Sequence, residues 1–113
     1  MLSCNSKKAI EIVDTGFQER NVQTPEVSLY VRLAGDLQAG DVIIAIHGGP
    51  GMTSHYMLNL ESLTGEGYAV VTYDQRGVGR SSSPAADASS YTLEKYVEDL
   101  DAIRQSLGVE SLH

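Results

Sequence analysis

Tryptophan is absent from this 113-residue sequence, phenylalanine occurs once, at Phe17, and the other aromatic residues are tyrosines. A chain so poor in flat apolar rings has no stacking platform for single-stranded nucleic acid. Basic residues are scarce as well. Against 15 Asp and Glu stand 8 Lys and Arg, leaving a formal net charge of −7, which opposes binding to nucleic acid or to an anionic membrane. No apolar run approaches the ~20 residues that a membrane-spanning helix requires. A single cysteine, Cys4, excludes an internal disulfide and any multi-cysteine metal site.

The setting of that cysteine, Met1-Leu2-Ser3-Cys4-Asn5-Ser6-Lys7-Lys8, is similar to the end of a bacterial lipoprotein signal followed by a polar tether. The apolar stretch such a signal needs is not there. The expectation is a flexible N-terminus over residues 1–8 and, by default, a cytoplasmic address. An envelope lipoprotein lipidated at Cys4 is the alternative if translation starts upstream. The sequence as a whole, 42% apolar and 20% charged, has a globular composition, and one unit is expected over residues 9–113.

Apolar patterning divides that unit. Residues 9–13 and 27–33 read as strands, the second with Val27, Leu29, Val31 and Leu33 alternating against Ser28, Tyr30 and Arg32. Residues 42–46 and 68–73 are short, continuous and β-branched, the pattern of strands buried on both faces of a parallel sheet. Between them, Met57, Leu58, Leu60 and Leu63 predict a modest helix over 54–63, stopped by Gly65 and Gly67. Residues 81–90, rich in Ser and Ala around Pro84, form a loop. Leu93, Val97, Leu100, Ile103 and Leu107 then predict a helix with Thr92 as N-cap, Glu94 in its first turn, Arg104 near its end and Gly108 closing it. The alternation after two opening strands is that of a parallel α/β sheet, with the 42–46 and 68–73 strands adjacent and joined by a right-handed crossover.

Glycine-rich corners follow both buried strands, at the carboxyl ends where open α/β sheets bind their ligands. His47-Gly48-Gly49-Pro50-Gly51 is either a permissive turn or a turn that aims peptide N–H groups at a developing oxyanion. Other readings fail on spacing. Residues 48–53 lack the lysine of a phosphate-cradling loop, and Gly77-Val78-Gly79 is followed by Ser82 where a dinucleotide fingerprint needs glycine. His47 and His55 have no carboxylate or thiol pattern around them that would make a metal site. Glu94, Glu98 and Asp101 read as a solvated helix face rather than an acid–base set.

The two corners together resemble a known family. The strings Ile44-Ala45-Ile46-His47-Gly48-Gly49-Pro50-Gly51, Val70-Val71-Thr72-Tyr73-Asp74-Gln75-Arg76-Gly77-Val78-Gly79-Arg80-Ser81-Ser82 and Tyr91-Thr92-Leu93-Glu94-Lys95-Tyr96-Val97-Glu98-Asp99-Leu100 are similar to the N-terminal part of an α/β-hydrolase of the proline iminopeptidase type. The resemblance implies an α/β fold: the N-terminal half of a hydrolase sheet, strands one to four with two crossover helices, in an incomplete domain. It also implies an oxyanion-hole N–H at Gly49, a bracing role for His47, and a second corner braced by Asp74 and Arg76 with Gly77 and Gly79 permitting the bend. Gly48, Pro50 and Gly51 complete the first corner, with the Gly49–Pro50 peptide expected to be cis.

No cofactor and no metal are implied, and the substrate would be a small peptide, amide or ester. Gly-x-Ser-x-Gly occurs nowhere in the sequence, so the nucleophile, acid and base are expected beyond residue 113 and the chain alone is expected to be inactive. A non-catalytic interaction module reusing half of the fold is the competing expectation.

Overall fold

The computed structural model describes residues 16–38, 40–48 and 52–113. Four strands, β1 (Phe17–Gln23), β2 (Ser28–Ala34), β3 (Val42–Ala45) and β4 (Ala69–Tyr73), form one sheet in the order β1-β2-β4-β3. β1 and β2 are an antiparallel hairpin in register from Phe17↔Ala34 to Gln23↔Ser28. β2 also pairs antiparallel with β4, and β3 pairs parallel with β4 from Val42↔Ala69 to Ala45↔Thr72. The parallel neighbours are thus the two strands expected. β1 was not foreseen, because Gln18, Glu19, Arg20 and Asn21 give it a polar sequence. The strand read over 9–13 lies outside the described residues.

Period-two alternation explains the sheet's two faces. Leu29, Val31 and Leu33 of β2 and Ala69, Val71 and Tyr73 of β4 point to one side, where they close over Ile103 and Leu107 of helix α1 (Leu93–Leu107). Thr92 caps α1 by accepting the Lys95 N–H at 3.3 Å, and Gly108 ends it at φ 71°. Both boundaries follow from the residue types. The expected apolar stripe is only partly covered: Ile103 and Leu107 are buried, whereas Leu93 is 75% and Val97 54% exposed. Periodicity identifies the helix face and is silent on which turns meet the sheet.

On the other face a 3-10 helix, Ser54–Glu66, packs on β4. It is tighter and longer than the helix expected over 54–63. Gly65 lies within it, and Gly67, at φ 91°, ends it. Its half-buried Met57, Leu60 and Leu63 recur at every third residue, the period of the tighter helix, with Leu58 beside them. Ion pairing helps to seat it, since Arg32 on β2 reaches Glu61 at 2.6 Å.

All five residues of β4 are buried, as its apolar run requires, while β3 is less enclosed than its sequence suggests. Ile43 and Ile44 are half-buried and Ile46 is 49% exposed. The reason is position, because β3 lies at the edge of the sheet. Among the described residues His113 alone bonds to its outer side, donating to the Val42 carbonyl and accepting from the Ile44 N–H, each at 2.9 Å. No helix among the described residues is long and apolar enough to cross a membrane.

Candidate active site

The corners after β3 and β4 come together because their strands are parallel neighbours and both chains leave the sheet at the same end. His47, the first residue past Ile46, is buried, and its Nε2 accepts the Gln75 N–H at 3.0 Å. Nε2 is thus the acceptor in that contact, and Nδ1 lies 3.4 Å from both the Gly48 carbonyl and the Gln75 side-chain amide. Gln75 returns the contact by donating its side-chain amide to the His47 carbonyl at 2.6 Å. Gly48 itself is exposed and donates its N–H to the Tyr56 hydroxyl at 2.9 Å. Gly49, Pro50 and Gly51 lie outside the described residues, and with them the oxyanion donor and the cis peptide expected there.

Asp74 follows β4 and joins the far side of the first corner to the second. Its Oδ1 accepts both the N–H and the hydroxyl of Ser54 at 2.8 Å, and its Oδ2 accepts the Arg80 N–H at 3.0 Å. Burial alone would raise this carboxyl, but the Arg80 and Ser54 donors outweigh it and hold the group below the usual carboxylate range. Gly77 and Gly79 have φ of 83° and 55°, a region costly for residues with a side chain. A Cβ on Gly79 would also overlap the Asp74 carboxylate. The tight bend and the carboxylate that organises it thus occupy the same space.

Arg76 performs a different task. Its guanidinium is buried and binds Asp99 of α1 through two parallel bonds of 2.8 Å, with the remaining amino group on Glu26 at 2.9 Å and the Ser90 carbonyl at 2.8 Å. Asp99 is 1% exposed, so this is a fully enclosed fork. The Asp99 hydrogen bonds, more than Glu26, raise the Arg76 affinity for its proton. One side chain thereby ties the second corner to α1, to the turn between β1 and β2, and to a short 3-10 turn, Ala88–Tyr91, that closes what the sequence reads as loop over 81–90.

Sequence reasoning did not single out Ser54, Tyr56, Gln75, Glu26 or Asp99. Asp99 had a usable signal, since it shares a helix face with Ile103 and an acid at a core-facing position demands a partner. Tyr56 and Glu26 had none, because their roles depend on segments distant in the chain.

An open cleft of about 420 Å³ lies on the 3-10 helix side of the sheet, between Tyr30 and Arg32 of β2 and Ser54 and Leu58 of that helix. It reaches Asp74 and Gly79 from behind, and neither His47 nor Gly48 lines it. The cleft therefore adjoins the second corner, whose Asp74, Gly79 and Arg80 line it, and lies apart from the His47–Gly48 turn.

The family model for the alpha/beta hydrolase fold matches residues 41–113. The proline iminopeptidase of Lactobacillus helveticus is 34% identical over 85 residues, covering 74% of this chain and 29% of that protein. Among solved structures, the proline iminopeptidase of Mycobacterium smegmatis superposes with a TM-score of 0.73 at 29% identity, covering 85% of this chain and 34% of that one. An epoxide hydrolase from Vigna radiata gives a TM-score of 0.72 at 30% identity, covering 85% and 30%. The chain spans about 30% of the length of the curated relatives it matches.

Proposed function

Because the chain belongs to the α/β-hydrolase fold family, we propose that it is the N-terminal part of a serine hydrolase, an aminopeptidase releasing N-terminal proline from small peptides. The observation that carries this reading is the pair of interlocked corners at the ends of β3 and β4, where His47 is held by Gln75 and Ser54 by Asp74. Such locking costs backbone freedom that a mere connection would keep. It suits a turn that must present peptide N–H groups in one orientation, and Gly49 is the residue proposed to present one to the oxyanion of an acyl-transfer intermediate. The similarity to proline iminopeptidases supports the substrate class. Arg76 and Asp99 act at one remove, by fixing where the second corner sits against α1.

The nucleophile, its base and the acid that orients the base belong to sequence not contained in these 113 residues. Ser81 does not substitute, being buried with its hydroxyl bonded to the Asp74 carbonyl. The chain should therefore show no turnover of proline or alanine arylamides or of a short nitrophenyl ester, and a form extended through the next elbow serine should gain it. Turnover by the 113-residue chain that resists serine-directed inhibitors would overturn the proposal. The exposed edge of β3 favours one second reading, an interaction module. An extended chain inactive on every substrate but binding a partner tightly would establish that reading instead.

A further inference from the structure

We propose that Tyr56 is a positioning residue of this site, holding the His47–Gly48 peptide plane in one orientation; the inference rests on the hydrolase reading. Tyr56 lies in the first turn of its helix, close to the first corner, and is 52% exposed, so its ring contributes little to the core. Its hydroxyl nevertheless accepts the Gly48 N–H at 2.9 Å. The other end of the same peptide unit, the His47 carbonyl, accepts the Gln75 side-chain amide at 2.6 Å. One peptide plane is thus gripped at both its oxygen and its nitrogen, by side chains from different segments.

This grip has leverage over the neighbouring peptide. Rotation of a peptide unit changes the ψ before it and the φ after it, and here the residue after it is glycine, for which such rotation meets few steric barriers. A change of φ at Gly48 that is not offset by ψ at His47 turns the peptide that follows, whose N–H is the one proposed for the oxyanion, and the two-ended grip opposes that change. An oxyanion donor works by being oriented before charge develops, so a loosened plane should slow the chemical step more than it weakens substrate binding.

The test uses Tyr56→Phe, Tyr56→Trp and Gln75→Leu in two settings. In the 113-residue chain, amide hydrogen exchange at Gly48 should quicken in Tyr56→Phe while exchange in β4 and the urea midpoint stay as in the parent, because an exposed N–H can bond to water instead. Tryptophan should fail like phenylalanine, as its indole N–H donates and cannot accept. In the chain extended to the length of its relatives, Tyr56→Phe should lower kcat about 2- to 10-fold, the worth of one net hydrogen bond, with KM within about twofold. Tyr56→Phe and Gln75→Leu should be non-additive in kcat, since both release one plane. Unchanged Gly48 exchange in Tyr56→Phe would overturn the proposal, as would a raised KM at constant kcat or full additivity. If the unsubstituted extended chain hydrolyses nothing, the hydrolase reading fails by itself, and Gly48 exchange still decides whether Tyr56 holds the plane.

Discussion

At the scale of single residues, Asp74 shows how one carboxylate can organise two loops. Asn at this position could keep the Ser54 bonds on its oxygen but would turn an NH2 toward the Arg80 N–H, donor against donor. Asp74→Asn should therefore destabilise the fold by about 1–3 kcal/mol near neutral pH. The pH dependence has a definite sign. The Asp74 carboxyl is lowered in the folded state relative to an unfolded value of about 3.9. Its contribution is full above that unfolded value and is lost as pH falls through the folded one. Urea midpoints of the two proteins should converge as the medium is acidified below about pH 4. Gly79 and Gly77 supply a contrast. Alanine at either must adopt a left-handed backbone at a cost of about 1–2 kcal/mol. At Gly77 it would stand 2.8 Å from the hydroxyl oxygen of Tyr91, an exposed side chain free to swing aside. At Gly79 it would displace the pinned Asp74 carboxylate. Gly79→Ala should accordingly lower the urea midpoint more than Gly77→Ala, and equal losses would mean that Ser54 and Arg80 do not pin Asp74. These corners were visible in the sequence as glycine clusters after apolar runs. The partners of Asp74 were not, because a string of residue types does not say that Ser54 and Arg80 converge on one carboxylate.

At the scale of elements, α1 separates what periodicity can tell from what it cannot. Its limits were legible from Thr92 and Gly108, and its apolar stripe from Leu93 to Leu107 was real. Only the C-terminal half of the stripe meets the core: Ile103 and Leu107 are buried there, while Leu93 and Val97 are exposed. Ile103→Ala should cost about 2–5 kcal/mol, whereas Leu93→Ala should stay within about 0.5 kcal/mol, as measured by chemical denaturation. A large loss at Leu93 would show that this end of the helix is covered in solution. The 3-10 helix and β1 were the less legible elements for the same kind of reason. The tight pitch over Ser54–Glu66 has a period of three, carried by Met57, Leu60 and Leu63 but close to the α-helical spacing over so short a run, and β1 is a strand because β2 offers it seven partners, despite its polar residues.

At the scale of the whole molecule, the sheet has one well-protected side and one open one. β1 carries Arg20 and Glu19, charges of the kind that guard an edge, while β3 runs into the exposed Ile46 and is met, among the described residues, by His113 alone. The chain should associate as its concentration rises, with Ile46→Lys reducing that association in sedimentation velocity; indifference to this substitution would place the contact elsewhere. The strand order has another consequence, for synthesis. β1 and β2 can zip together as soon as both leave the ribosome, because their turn is local. β3 is made next but reaches the sheet only through β4, so its apolar run waits without a strand to pair with until residues 69–73 have also emerged. During that interval the nascent chain carries its stickiest segment uncovered, and a pause in translation between β3 and β4 would lengthen the exposure that chaperones have to manage.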